Sequence, residues 1–82
     1  MNYDGRITGR LIAELRKERG MTQEVVSGLA GVARSHLAEI ERGSVIANVD
    51  TLWRISEALG LRLSELIRMV EENSFLVPNR ID

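Results

Sequence analysis

The twenty-one residues from Thr22 to Arg42, TQEVVSGLAGVARSHLAEIER, constrain the fold of this chain more than any other stretch. Their pattern predicts a helix over Gln23–Ala30, a turn at Gly31-Val32-Ala33 and a second helix over Arg34–Arg42. Val26 and Ala30 face inward from the first helix. Leu37 and Ile40, three apart, form one apolar stripe on the second. Ser27 is small where two crossing helices meet, so their backbones can come close. Gly31 falls where the chain must turn sharply, and glycine alone takes a positive φ without steric penalty. With Leu37 and Ile40 turned in, a rotation of about one hundred degrees per residue turns Ser35, Ala38, Glu39 and Arg42 outward, with Arg34 at the edge.

The flanking segments supply the rest of a small core. Ile7 to Arg19 carries Ile7, Leu11, Ile12 and Leu15 at helical spacing, with Arg16, Lys17 and Arg19 toward the negative end of the helix dipole. Gly20 ends that helix, Met21 packs inward and Thr22 caps the next one. Asn48 is the expected N-cap of a fourth helix, Val49 to Leu59, with Val49, Leu52, Ile55, Ala58 and Leu59 apolar. Gly60 closes it, Leu61 docks, and a fifth helix runs to about Glu72 with Leu63, Leu66, Ile67 and Val70 apolar. The expected layout is a fraying segment at 1–6, one all-α domain at 7–72 and a tail at 73–82, where Phe75, Leu76 and Val77 precede Pro78. Gly28 stands out, because glycine inside a helix costs ~1 kcal/mol against alanine. Either another chain or DNA approaches closely there, or the position is tolerated.

Eighty-two residues fit one domain. Aromatics are few (Tyr3, Trp53, Phe75), so the core is aliphatic. Cysteine is absent, which removes disulfides and thiolate metal sites. No apolar run approaches the ~20 residues that span a bilayer, and no signal-peptide pattern opens the chain, so a cytoplasmic location without membrane attachment is the expectation. Net charge is −1, unlike the usual basic nucleic-acid binder. Its distribution is uneven: seven Lys/Arg against six Asp/Glu over residues 1–42, and four against six over 43–82. Arg10, Lys17, Arg34 and Arg42 are expected to make a local positive surface, with modest affinity per monomer and reliance on dimerisation.

The run MTQEVVSGLAGVARSHLAEIERG, followed by VDTLWRISEALGLRLSELI, resembles the phage-repressor and Cro-like domains known as the Xre family, over roughly Ile7 to Val70. Thr22-Gln23-Glu24, Gly31-Val32, Ile40-Glu41-Arg42-Gly43, Asp50-Thr51-Leu52 and Ser64-Glu65-Leu66 all fall at family spacing. The resemblance implies a five-helix lambda-repressor-like fold with a central helix-turn-helix whose second helix enters a DNA major groove. It also exposes two departures. Ala33 stands where relatives usually have a Ser or Thr N-cap, a loss of about 0.5–2 kcal/mol unless Ser35 or a phosphate meets the free N–H groups. Val45 and Ile46 stand where many relatives carry basic residues and a proline, which favours contact with protein over phosphate.

On that reading Arg34 donates two N–H groups to guanine O6 and N7, or contacts a phosphate instead. Ser35, Ala38 and Glu39 are the other base-facing candidates: serine bonds several bases, alanine meets a thymine methyl, and a carboxylate accepts from cytosine N4. Glu39 alternatively bonds Arg42 or Ser35. Thr22 and Gln23 begin a helix whose amino end favours phosphate, with His36 and Arg42 as further phosphate candidates. Arg16 and Glu41 resemble a family pair that bridges the first and third helices, a structural role. Val45, Ile46, Trp53, Leu66, Met69 and Phe75 are the candidate dimer surface.

A single histidine without cysteine gives no metal site. Ser35 and His36 are neighbours on a helix and point about a hundred degrees apart, which denies a Ser-His-acid triad with Glu39. No cofactor or enzymatic activity is expected. The leading reading is a stand-alone regulator, of controller or phage type, that binds an inverted-repeat operator as a homodimer. The alternative is an antitoxin-type module whose apolar loop and tail mask a toxin partner.

Overall fold

The computed structural model describes the backbone of residues 3–79 and the side chains of residues 3–74. It contains five helices and, among the described residues, no strand: α1 Gly5–Glu18, α2 Gln23–Ala30, α3 Arg34–Arg42, α4 Val49–Ala58 and α5 Leu63–Asn79. None is long and apolar enough to cross a membrane.

Local chemistry accounts for most boundaries. Asp4 accepts the Arg6 N–H at 2.9 Å, so α1 begins two residues before the Ile7 expected from periodicity. The Thr22 hydroxyl accepts the Val25 N–H at 3.1 Å and starts α2. Gly31 (φ 70°) and Gly43 (φ 78°) end α2 and α3 in the left-handed conformation. Beyond Gly43 the Ser44 N–H returns to the Glu39 carbonyl at 3.1 Å. The Asn48 side chain accepts from Thr51 N–H at 2.8 Å to open α4, and the Glu65 carboxylate accepts from Arg62 N–H at 2.8 Å to open α5. Helix α5 runs seven residues past the expected Glu72. Asn73 and Ser74, the first residues of the expected tail, instead bond the Met69 and Val70 carbonyls one turn back, each at 2.8 Å.

Ile12, Leu15, Val26, Ala30, Leu37, Ile40, Leu52, Ile55, Leu59 and Leu66 form one aliphatic core. Helix α1 packs on α3 and α5, while α2 packs on α3 and α4. The α1–α3 crossing is the tightest. A Cβ built on Gly9 would fall well inside contact distance of the Ile40 carbonyl oxygen and 3.0 Å from that of Glu41. Backbone therefore meets backbone, and α3 is seated directly on α1. At Gly28, by contrast, an added Cβ meets nothing within 4 Å, so no intramolecular approach explains that glycine.

Two expectations about burial are corrected. Val49 was counted among the apolar positions of α4 expected to supply the core but, as the first residue of the helix, is 66% exposed. Leu66 was placed on the candidate dimer surface but is fully buried in the core. The apolar stripe of α5 is wide, and Leu66 lies at its centre.

Candidate nucleic-acid interface

Burying Leu37 and Ile40 fixes the rotation of α3. Arg34, Ser35 and Arg42 are exposed, and His36, Ala38 and Glu39 are partly exposed. The wheel drawn from sequence therefore holds: the polar residues share the side of α3 away from the core. Glu39 does not pair with Arg42 or Ser35; its Oε1 lies 3.8 Å from His36 Nδ1, one turn back. Ala33 adopts the extended N-cap conformation (φ −66°, ψ 140°) yet supplies no side-chain hydrogen bond, and Ser35 does not replace it. The first N–H groups of α3 thus stay available to an outside acceptor.

A charged cluster behind this face locks α3 to its neighbours. Arg16 Nε donates to Glu41 Oε2 at 2.8 Å and Arg16 Nη2 to Glu41 Oε1 at 3.0 Å, a bidentate pair between α1 and α3. Arg16 Nη1 also donates to the Met21 carbonyl at 2.9 Å, holding the turn before α2. The hydrogen bonds that Arg16 donates to Glu41 hold its guanidinium pKa above the ordinary value and outweigh its partial burial. The side chains are only 12% and 6% exposed, so the ion pair cannot form the DNA-facing charge.

Gln23 enters the same cluster, which sequence reasoning missed. Its Nε2 donates to Glu41 Oε1 at 2.9 Å. The i, i+18 separation carries no local signal of this contact. Thr22 and Gln23 line a shallow depression with Arg16, Glu24 and Arg34. The amino ends of α2 and α3 thus border one concavity, and Arg34, unlike Arg16, has no carboxylate partner among the described residues.

The candidate dimer residues divide. Ile46 (68% exposed) and Trp53 (55%) are open to solvent, joined by Val49 one turn before Trp53. Val45 and Met69 are half-buried against the core. The side chain of Phe75 lies outside the described residues. Trp53, Leu61, Leu63 and Ile67 line an apolar groove between α4 and α5, flanked by Glu57 and Arg62.

Comparison with known proteins fits this geometry. The helix-turn-helix family model matches residues 12–66. An HTH-type transcriptional regulator of Sinorhizobium fredii, y4dJ, is 36% identical over 70 residues, 85% of this chain and 91% of that protein. The ImmF control region 10 kDa protein of Bacillus phage phi105 is 34% identical over 76 residues, 88% of this chain and 84% of that protein. Among solved structures, the restriction-modification controller protein C.AhdI from Aeromonas hydrophila superposes with a TM-score of 0.74 at 29% identity, covering 79% of this chain and 98% of that one. The matched segment contains the buried Leu37–Ile40 stripe, the polar face of α3 and the Arg16–Glu41 clamp. This chain belongs to the helix-turn-helix family, in its phage-repressor and Cro-like (Xre) branch.

Proposed function

We propose that the chain is a sequence-specific transcriptional regulator that binds an inverted-repeat DNA site as a homodimer. Helix α3 enters the major groove; Arg34, Ser35, Ala38 and Glu39 read base edges, and Thr22, Gln23, His36 and Arg42 meet phosphates. The single observation that carries this reading is the rotation of α3. Its core stripe is buried, its backbone is seated on α1, and its polar side is open beside the amino end of α2.

Magnitudes support a dimer. Nine residues of α3 span about 14 Å at ~1.5 Å per residue, about four base pairs at ~3.4 Å each. So few base pairs cannot single out one site in a genome. Two copies reading half-sites about 34 Å apart can. The exposed side chains of Ile46, Val49 and Trp53, and the α4–α5 groove beside Trp53, are the apolar areas that suit this contact. A regulator of this kind acts in the cytoplasm, where DNA is accessible. The similarity to transcriptional regulators and a phage control-region protein favours this reading over a toxin-masking module.

Selection of bound duplexes from a random pool, repeated with Arg34→Ala, tests it. The expected outcome is a palindromic site, with loss of preference at one symmetric base pair in the variant. No enrichment over input by the unaltered protein would overturn it.

A further inference from the structure

The Glu41 carboxylate does more than the ion pair requires. The Arg16 fork alone reaches both of its oxygens, yet Oε1 accepts a further hydrogen bond from Gln23. An ionised carboxylate only accepts, so the amide nitrogen of Gln23, not its oxygen, must face it. That sets the amide plane and commits one of the two N–H groups. The other remains, on a residue that borders the depression between the amino ends of α2 and α3. Glutamine is among the costlier side chains to order. Here it is ordered by a group that is itself only 6% exposed and held by an arginine from another helix.

We propose that Glu41 is a positioning residue for DNA binding: through its hydrogen bond it presets the Gln23 side chain for contact with a backbone phosphate. The inference rests on the DNA-binding reading above. Its consequence is that Arg16, Glu41 and Gln23 act in series. Arg16 fixes Glu41, Glu41 fixes Gln23, and only Gln23 meets the DNA. Preorganisation of this kind raises affinity by removing an ordering cost at the moment of binding.

The test separates positioning from stability. Glu41→Ala strands a partly buried arginine, so its loss of binding can come from unfolding. The Arg16→Met/Glu41→Met pair removes both charges together and keeps side-chain bulk, and a thermal melt identifies the temperatures at which it is folded. Affinity for a duplex enriched from the random pool is then measured for the unaltered protein, Gln23→Ala, the double variant and the triple variant. In the unaltered background Gln23→Ala is expected to weaken binding by about tenfold, the lower range for a hydrogen bond to a charged group. In the double-variant background the same substitution is expected to cost under about threefold, because an unpositioned glutamine contributes little. An equal cost in both backgrounds would overturn the proposal, since Gln23 would then find the phosphate unaided. No cost in either would overturn it too, while leaving DNA binding intact. If the unaltered protein enriches no duplex, the DNA-binding reading fails first and takes this inference with it.

Discussion

Gly9→Ala sets two rules against each other. In an isolated helix, alanine for glycine adds about 0.5–1 kcal/mol of stability. At Gly9 the new methyl would collide with the Ile40 carbonyl oxygen, and ordinary contact starts at 3.4 Å. Both sides of the collision are backbone, so no rotamer change relieves it. The α1–α3 spacing must open by about an ångström or more, and overpacking of that kind costs ~1–3 kcal/mol, occasionally more. With no side chain able to move, the upper end applies, and after the propensity gain the net loss is about 2 kcal/mol. For a domain of this size that corresponds to a Tm lower by roughly 8–16 °C. Gly28→Ala is the matched control: it also lies inside a helix, but its Cβ position is empty. It should raise stability by up to about 1 kcal/mol. Thermal and urea unfolding followed by circular dichroism measures both. A Gly9→Ala protein as stable as the unaltered one would refute the claim that α3 is seated on α1 by backbone contact.

Ala33→Ser restores a hydroxyl at an N-cap already in the extended conformation, and should add about 0.5–2 kcal/mol in the same assay; no gain would mean that the α3 N–H groups are satisfied otherwise. Asp4 is held below its ordinary value of 3.8, first by its side-chain hydrogen bond with Arg6. Its folded value lies below its unfolded one, so its contribution is present above about 3.8 and disappears as pH falls through the lowered value. Amide protection in the first turn of α1, taken relative to the intrinsic exchange rate at each pH, should therefore fall on acidification through that range, and Asp4→Asn should remove that fall. Trp53→Asp removes an apolar contact from the proposed dimer surface. If about 100 Å² of indole is covered, ~25 cal/mol per Å² gives ~2.5 kcal/mol, or self-association weaker by about a hundredfold. Sedimentation equilibrium reads this directly, and an unchanged dimer would exclude Trp53 from the interface.

Features set by chemistry within a few residues could be read from the sequence. Thr22, Gly31, Gly43 and Asn48 mark helix ends through their own hydroxyl, amide or missing Cβ, and the structure uses each in that way. The outward face of α3 was legible because one buried stripe fixes the rotation of a short helix. Features that depend on how helices cross were not. Gly9 looks like any helical glycine until α3 is laid over it. Periodicity gives α5 a broad apolar stripe without saying that Leu66 lies at its centre and Ile67 at its solvent edge. The Gln23–Glu41 bond joins residues from separate helices, and no local pattern encodes it.

Function as a DNA reader requires above all that the polar side of α3 receive the duplex. Backbone amide shifts, recorded while an enriched duplex is titrated into isotope-labelled protein, test that directly. The largest changes are expected at Thr22, Gln23 and Arg34 through Glu39. Changes concentrated on the α4–α5 groove around Trp53 and Ile67, with α3 unmoved, would contradict it.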